Sequence, residues 1–433
     1  MDNCRLLMAY FTLFHVVGLA KVFGWLHGSV AHVIDPATII PASLGSIYLL
    51  GRSRRHSALD MAVFVYLLFS LGSVLAYLLP GNPCQIKAYL YGVHLFVLPV
   101  SLFFAAKSLD LSQQRRLLRY LCVLSMLAMS LGVYWHMIQP GYYLQFLAGE
   151  AYSTMDYSQD WQLFHRLGSY FGSTSMGSIA AITICLCVLA EFRSVTMTRL
   201  IMATMFVGVL LTHQRGGFLA SAVALAYVVV SGPTNHRMRQ QVFAVAMCAA
   251  FVIGGAIAVE HFREGTLEQL FPRYTKELKE GIANVTKDRG YGPGMAYAVD
   301  FPLGVGLGAT CSAVDRAGLT QRGQVVDANF MRILADLGIQ GLASFLFVLF
   351  LASYAALRKR RSKGWIVLIA SVCMICLVTN TLDQVYVPHL FWFVLGCIDT
   401  PEPKLVEPSR RVELRRGIRV SSDAEELNVS QIG

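Results

Sequence analysis

Three arginines of this sequence stand in settings that suit the binding of an anion. Arg166 precedes a stretch rich in glycine and serine, Arg215 precedes a pair of glycines, and Arg289 precedes a Gly-Tyr-Gly sequence. A guanidinium group keeps its charge throughout the physiological pH range, and its forked donors match the oxygens of a phosphate. Two or three such groups in one pocket would bind a pyrophosphate.

Each of these arginines also has an ordinary structural interpretation. Asp160 precedes Arg166 by six positions and Asp288 adjoins Arg289, so either arginine could form a local ion pair. Arg215 interrupts two apolar stretches, and a charge at the centre of a membrane helix costs roughly 2.5–3.5 kcal/mol on insertion scales. Such a charge marks a functional site by default, and both interpretations stay open at this point.

Basic side chains around these arginines, or in the polar sequence beyond them, are candidates for substrate binding. The set assigned to this role is Arg166, His165, His213, Arg273 and Arg322. A lone histidine is more often a packing residue, but each of these two lies within two positions of an arginine. Arg215 and Arg289 are assigned to catalysis instead.

Asp327 is the candidate general base. It directly precedes an apolar run that begins at Ala328, and a carboxylate there could take a proton from a substrate hydroxyl. It could also cap the helix, which would stabilise the first turn by about 0.5–2 kcal/mol. Further along, Arg332 and Asp336 are four positions apart and are expected to pair on one helix face.

Neither a metal nor a cofactor is expected. The sequence has no cluster of carboxylates and histidines, and its ten cysteines lack the spacing of a zinc or redox site. Cys84 and Cys311 fall in predicted outer loops and could form a disulfide. The sequence Gly304-x-Gly306-x-Gly308 lacks the spacing of a dinucleotide fingerprint, and it predicts a turn where backbones approach closely.

The composition places all these residues in a membrane protein. The chain has 433 residues, of which 55% are hydrophobic and 14% charged, whereas a soluble domain carries about 25% charged residues. A net charge of +10 could suggest nucleic-acid binding. The charges, however, lie in loops between apolar runs, and no basic patch is combined with stacking aromatic residues, so nucleic acid is not an expected partner.

The elements that must position the candidate residues are membrane helices, each of roughly 20 apolar residues. Twelve stretches are predicted, at about 5–26, 31–50, 58–79, 88–106, 118–138, 171–190, 198–213, 216–231, 240–259, 328–357, 364–382 and 386–400. The seventh and eighth stretches are too long together for one span, which predicts two helices with Arg215 at their turn. The expected fold class is an all-α polytopic membrane protein.

The distribution of lysine and arginine predicts the orientation of these helices. Basic residues concentrate in alternate connections, at about 52–55, 107–119, 193–199, 237–239 and 358–363, and in the tail at 410–419. By the positive-inside rule these connections and both termini are cytoplasmic. The segments that carry the candidate residues then share the opposite, outer face.

Two domains are expected. Residues 1–400 form the transmembrane domain, with long outer loops at about 139–170 and 260–326, and residues 401–433 form a polar, basic cytoplasmic tail that is expected to be disordered. Apolar residues recur at helical spacing between positions 267 and 285. They predict amphipathic helices, which either form a plain extramembrane cap or cover a substrate.

Four segments together resemble the bacterial O-antigen polymerase and O-antigen ligase superfamily. They are Arg166-Leu-Gly-Ser-Tyr-Phe-Gly-Ser, the turn Gln214-Arg-Gly-Gly, the glycine-rich stretch from Pro302 to Gly308, and the stretch from Asp327 to Gly341 that ends Asp-Leu-Gly-Ile-Gln-Gly. They occur in the family's order and at its usual separation. The resemblance covers roughly residues 160–350.

This resemblance implies a glycosyltransferase of the bacterial inner membrane, with its active site at the periplasmic face. The donor would be an oligosaccharide on undecaprenyl pyrophosphate, and the partners would be this lipid-linked glycan, the lipid bilayer and a chain-length regulator protein. Ligases of this type carry a histidine where this chain has Asp327, which favours a polymerase. The alternatives are a ligase that transfers glycan to the lipid A core and a transporter of lipid-linked glycan.

Overall fold

The computed structural model is all-helical over the residues that it describes. These are 2–22, 37–51, 56–79, 82, 85–138, 173–192, 194–212, 214–231, 291–311, 326, 328–358, 363–379, 382 and 386–400, with only the backbone described at some positions, Arg215 among them. Residues Met1–Asp399 form one compact unit.

Twelve helical segments occur in the described part of the chain. They are α1 (Asn3–Val22), α2 (Ile39–Gly51), α3 (Ala58–Gly72), α4 (Ile86–Lys107), α5 (Leu111–Ile138), α6 (Ser173–Leu189), α7 (Val195–Thr212), α8 (Arg215–Ser231), α9 (Tyr291–Asp300), α10 (Asn329–Arg358), α11 (Lys363–Val378) and α12 (Val387–Ile398). A 3-10 helix, Ser73–Leu78, extends α3. Every predicted stretch except 240–259 overlaps one of these helices, and 240–259 lies outside the described residues.

Five of these segments are long and apolar enough to cross a membrane. By length and composition they are Asn3–Ala20, Ala58–Leu78, Ile86–Lys107, Leu111–Trp135 and Asn329–Arg358, and six shorter apolar helices accompany them. The described chain is therefore consistent with an α-helical membrane protein. The full set of twelve spans stays a prediction.

The break between α7 and α8 confirms the choice of two helices around Arg215. Helix α7 ends at Thr212 and α8 begins at Arg215. Gly217 lies in the first turn of α8, and a Cβ atom built on it would lie 2.6 Å from the carbonyl oxygen of Gly177 in α6. The glycine therefore lets α8 approach α6.

Helix α4 is irregular in its middle. It contains a π-helical turn, Val93–Val97, followed by a 3-10 turn, Leu98–Val100, before α-helix resumes at Ser101. Pro99 lacks the N–H that a regular helix would use, which accounts for the change of winding at this point. The irregular turns carry Phe96, which faces a buried arginine described below.

Helix α10 is two helices joined at a break. Gly338 has φ of 70° and ψ of −170°, which interrupts the helical geometry. Thirty residues of continuous helix would measure about 45 Å, against a hydrocarbon core of about 30 Å. The stretch after the break, 339–358, already matches the thickness of the core. The stretch predicted at 328–357 thus matches the candidate span Asn329–Arg358, but Gly338 divides that span into two helices.

One end of the bundle gathers the connections that were predicted to be cytoplasmic. Lys107, at the end of α4, contacts both Asp60 near the start of α3 and Asp399 after α12. Arg115 pairs with Glu191 after α6 at 3.1 Å. We call this region the basic end, defined by Asp60, Lys107, Arg115, Glu191 and Asp399.

Both chain ends of the compact unit lie at the basic end. Asp2 accepts a hydrogen bond from the side chain of Gln113 at 2.8 Å, and Gln113 belongs to the first turn of α5, close to Lys107. Lys107 in turn contacts Asp399. Asp2 and Asp399 therefore lie at the same end of the described helices, while the number of membrane crossings between them stays a prediction.

Candidate functional site

The predicted site residues fall almost wholly outside the described part of the chain. His165, Arg166, His213, Arg273, Arg289, Arg322 and Asp327 lie outside it. Arg215 is described in its backbone alone, as the first residue of α8. The roles assigned to these side chains therefore stay predictions. The described residues form the helices around the predicted site, which we call the frame.

The C-terminal end of α11 is the centre of that frame. Helix α11 packs against α6, α8 and α10, and its N-terminal end lies near the basic end, where a Cβ atom on Gly364 would be 3.0 Å from Leu189. Its C-terminal end, residues 377–379, therefore lies at the opposite end of the bundle. We call residues 377–379 the α11 terminus.

Polar side chains from three separate segments bind the α11 terminus. Gln214 donates from Nε2 to Oγ1 of Thr379 at 3.4 Å, and Asn329 donates from Nδ2 to the carbonyl oxygen of Thr379 at 2.9 Å. Tyr291 donates from its hydroxyl to the carbonyl oxygen of Leu377. Burial raises the pKa of Tyr291, so this hydroxyl keeps its proton and remains a donor at neutral pH.

Each of these three side chains adjoins a predicted catalytic residue in the sequence. Gln214 directly precedes Arg215, and Tyr291 and Asn329 follow Arg289 and Asp327 by two positions each. Each segment that carries a catalytic candidate therefore contacts the α11 terminus through one described residue. The described residues bring together the chain neighbours of all three.

Gln214 forms hydrogen bonds with both α6 and α11. It is buried, and besides Thr379 its Nε2 donates to Oγ of Ser178 in α6 at 2.9 Å. On the next turn, a Cβ atom added to Gly216 would lie 3.3 Å from Cγ2 of Thr379. The first turn of α8 is thus fixed between α6 and α11, and a side chain at Gly216 would press against Thr379.

Asn329 carries a buried oxygen atom with an open acceptor position. Its side chain is fully buried, its amide nitrogen bonds to Thr379, and its Oδ1 has no hydrogen-bond partner among the described residues. The alternative amide orientation would direct Oδ1 at the carbonyl oxygen of Thr379, so the assignment follows from the contact. Buried carbonyl groups are normally paired, and an exception of this kind often marks a functional position.

The start of α10 also bears on the predicted capping role of Asp327. The helix begins at Asn329, and the carbonyl oxygen of Ala328 accepts a hydrogen bond from the backbone N–H of Arg332 at 2.9 Å. Asp327 itself lies outside the described residues. Its capping role and its role as a base both stay predictions.

The glycine-rich turn after α9 packs into the break of α10. Gly304, Gly306 and Gly308 all have positive φ, and a Cβ atom on Gly304 would lie 2.6 Å from the backbone nitrogen of Gly338. The backbone N–H of Ile339 donates to the carbonyl oxygen of Pro302 at 3.2 Å. The close backbone approach predicted for these glycines is confirmed.

Asp336, a residue of α10, binds this turn through hydrogen bonds. Its carboxylate accepts hydrogen bonds from the backbone N–H groups of Gly308 at 3.0 Å and Thr310 at 2.9 Å, and from the Thr310 hydroxyl at 2.8 Å. The predicted partner, Arg332, lies 4.0 Å from it. Both side chains are buried rather than solvent-exposed, and the guanidinium of Arg332 lies 4.0 Å from the ring centroid of Phe96.

The turn and its neighbours have a small hydrophobic core of their own. Its buried members come from α9, the turn and the start of α10: Tyr297, Val305, Ala309, Val326 and Ala335. Tyr77 packs against it and donates from its hydroxyl to the carbonyl oxygen of Leu307 at 2.9 Å. These residues belong to the segment predicted as an outer loop at 260–326, while the predicted amphipathic helices at 267–285 lie outside the described residues.

Cys311 is buried, while Cys84 lies outside the described residues, so the disulfide suggested between them stays a prediction. In the described part of the chain no group of histidine, cysteine, aspartate and glutamate side chains could hold a metal ion.

Sequence reasoning missed Thr379 as a member of the site. Gln214 and Asn329 stood inside motifs that were singled out, although neither was given a role. Thr379 was counted within the apolar stretch 364–382. The signal that could have found it is the polar interruption Thr-Asn-Thr that begins at residue 379.

No protein-family model and no curated protein sequence matches this chain. The family stays a resemblance.

Proposed function

We propose that the protein is a glycan polymerase of the bacterial inner membrane. It transfers a glycan from undecaprenyl pyrophosphate to the next lipid-linked repeat unit at the periplasmic face, through a fold of twelve membrane spans with both termini in the cytoplasm. The observation that supports this proposal best is the meeting of the segments next to Arg215, Arg289 and Asp327 at the α11 terminus.

The chemistry proposed for the three residues is a direct displacement. A hydroxyl of the acceptor sugar attacks the anomeric carbon of the donor glycan, and its proton passes to Asp327. The bond from that carbon to the pyrophosphate oxygen breaks, and undecaprenyl pyrophosphate leaves with the bonding electron pair. Arg215 and Arg289 stabilise the charge that develops on the leaving oxygen, and Arg166 holds the glycan or assists. Direct displacement inverts the anomeric configuration.

The distribution of charge along the bundle is compatible with this assignment. The basic end carries paired charges such as Lys107 with Asp60 and Arg115 with Glu191. At the opposite end, the α11 terminus is bound by the neutral donors Gln214, Asn329 and Tyr291. These donors are neutral, so they add no negative charge that would compete with an anionic leaving group for the arginines proposed to bind it.

The test is the polymer length of lipopolysaccharide from a deletion strain that carries plasmid-encoded variants. Arg215→Gln and Arg289→Gln each remove one charge, and loss of a single group of this kind typically lowers the rate by about 10²–10³. We expect both variants to give single repeat units on the core. Arg358→Gln, an exposed change at the far end of α10, is the matched control and should give full-length chains.

The same gel discriminates the other functions. The empty deletion strain should show the core with one repeat unit. Long glycan that accumulates unattached would indicate a ligase, and complete loss of surface glycan would indicate a transporter. Full-length chains from both arginine variants would overturn the proposed roles of Arg215 and Arg289.

A further inference from the structure

Thr379 uses different atoms to bind two helix starts. Its hydroxyl donates to the carbonyl oxygen of Ile375 at 3.0 Å, so the hydroxyl oxygen is left to accept from Nε2 of Gln214. Its backbone carbonyl accepts from Nδ2 of Asn329. Gln214 precedes α8 and Asn329 opens α10, so one residue at the end of α11 joins the starts of two neighbouring helices.

The two amide partners have little freedom of their own. Gln214 is also bonded to Ser178 of α6, and the carboxamide nitrogen of Asn329 lies 3.7 Å from Sγ of Cys376, one turn before Thr379 in α11. Both amides are buried. Displacing Thr379 would therefore move the first turns of α8 and α10 rather than be absorbed by a flexible side chain.

The position of Thr379 matters because its two partners, Gln214 and Asn329, lie next to proposed catalytic residues in the sequence. Arg215 is the residue after Gln214, and Asp327 precedes Asn329 by two positions. In the proposed transfer these two residues act on opposite sides of the reacting carbon, as the stabiliser of the leaving group and as the base. Their separation must match the in-line arrangement of hydroxyl and leaving oxygen, and an error of about 1 Å can cost 10²-fold in rate.

We propose that Thr379 is a positioning residue of the transfer site, which sets Arg215 relative to Asp327 through its bonds to Gln214 and Asn329. The proposal rests on the proposed function for its catalytic consequence, but the positioning itself is a property of the fold. Thr379 contacts neither substrate nor reacting atoms in this scheme. Its effect reaches the reaction through the first turns of α8 and α10.

Three substitutions isolate the hydroxyl of Thr379. Thr379→Val keeps the shape but removes the acceptor for Gln214, whereas Thr379→Ser keeps that acceptor. Thr183→Val is the matched control, because Thr183 is fully buried in α6 and its hydroxyl has no hydrogen-bond partner among the described residues. All three proteins are compared at equal amounts of folded protein in detergent.

The first measurement is the initial rate of chain extension against the concentration of purified lipid-linked repeat unit. Thr379→Val should lower kcat at least tenfold with KM changed less than twofold, since the groups that bind the glycan remain while those that act in the transition state shift. Thr379→Ser and Thr183→Val should stay within twofold of wild type. A loss in Thr379→Val that Thr183→Val shares would overturn the proposal.

A second measurement does not depend on glycan transfer. In an Arg215→Cys background, the rate of labelling by a water-soluble maleimide reports the placement of position 215. Adding Thr379→Val should change this rate at least threefold, while adding Thr379→Ser should not. An unchanged labelling rate overturns the positioning role whatever the activity. If wild type fails to extend glycan but the labelling rate shifts, the proposed function fails and the positioning stands.

A further variant tests the same hydrogen bond in case the Thr379→Val protein does not fold. Gln214→Met breaks the same hydrogen bond from the other side, and it should reproduce the fall in kcat. Both changes remove the bond between Gln214 and Thr379, and Gln214→Met also removes the bond to Ser178. The double variant Gln214→Met with Thr379→Val should therefore be no slower than Gln214→Met alone. Additive losses would show that the two side chains act independently, which contradicts the proposal.

Discussion

At the scale of single residues, the buried pair Arg332 and Asp336 shows how a charge can be kept away from water. Asp336 is satisfied by three donors of the glycine-rich turn as well as by Arg332. Arg332 lies against the ring of Phe96, where a cation is attracted to the π face. A buried pair of this kind is costly to break, because removing one member leaves the other charge uncompensated.

The prediction from this pair is that Asp336→Asn destabilises the protein by about 3–5 kcal/mol. Thr310→Val, which removes one of the three donors, should cost about 1 kcal/mol. The check is the thermal midpoint of purified protein in detergent, which should fall more for Asp336→Asn than for Thr310→Val. Equal midpoints for the two variants would contradict the prediction.

At the scale of elements, the helix starts at the basic end are fixed by local polar contacts. Asp110 caps α5: its carboxylate accepts from the backbone N–H of Gln113 at 2.8 Å, and Oε1 of Gln113 accepts from the backbone N–H of Asp110 at 3.1 Å. Ser57 and Asp60 form the same reciprocal arrangement at the start of α3. Such boxes satisfy backbone donors that the first turn of a helix leaves unpaired.

The hydrogen bond from the backbone of Gln113 is the main reason why the pKa of Asp110 lies below its usual value of 3.8. A lowered pKa means that the charged carboxylate stabilises the fold above pH 3.8, and that this stabilisation is lost as the pH falls through the folded-state pKa. Asp110→Ala should cost about 0.5–2 kcal/mol at pH 7, while Asp110→Asn should cost little. Thermal midpoints at pH 7 and pH 3.5 check this. Lowering the pH should destabilise wild type relative to Asp110→Asn, so the difference between their midpoints should change. A gap that is the same at both pH values would exclude a charged cap.

Much of the helical frame could be predicted from the sequence, because apolar runs and basic connections report directly on the membrane. The break at Gly338 could not, since a glycine within a helical pattern is usually tolerated. Only the packing of the turn at residues 302–308 against it explains the interruption. The same limit applies to the site: Arg215 could be found from its charge, whereas Thr379 acquires meaning only when Gln214 and Asn329 meet it from other helices.

At the scale of the whole molecule, the described connections between helices lie at two opposite ends of the bundle. The basic end joins Asp2, Lys107, Glu191 and Asp399 through the contacts around α4 and α5. The glycine-rich turn lies instead beside the end of α3, where Ser73 accepts from the backbone N–H of Leu307 at 3.1 Å. Helix α3 starts at the basic end and finishes at this turn, so the two regions are separated by the length of the bundle.

The resulting prediction is that single cysteines at the two ends react from opposite sides of the membrane. Leu303, in the glycine-rich turn, is 68% exposed, and Glu191, at the basic end, is also exposed. With a small membrane-impermeant maleimide, Leu303→Cys should be labelled in whole cells, and Glu191→Cys only in inside-out vesicles, because the basic end is expected to face the cytoplasm. The native cysteines that are described are mostly buried, and wild-type protein gives their background. Labelling of both positions from one side would contradict the separation of the two ends, and a reversed pattern would place the α11 terminus in the cytoplasm, where a periplasmic polymerase could not use it.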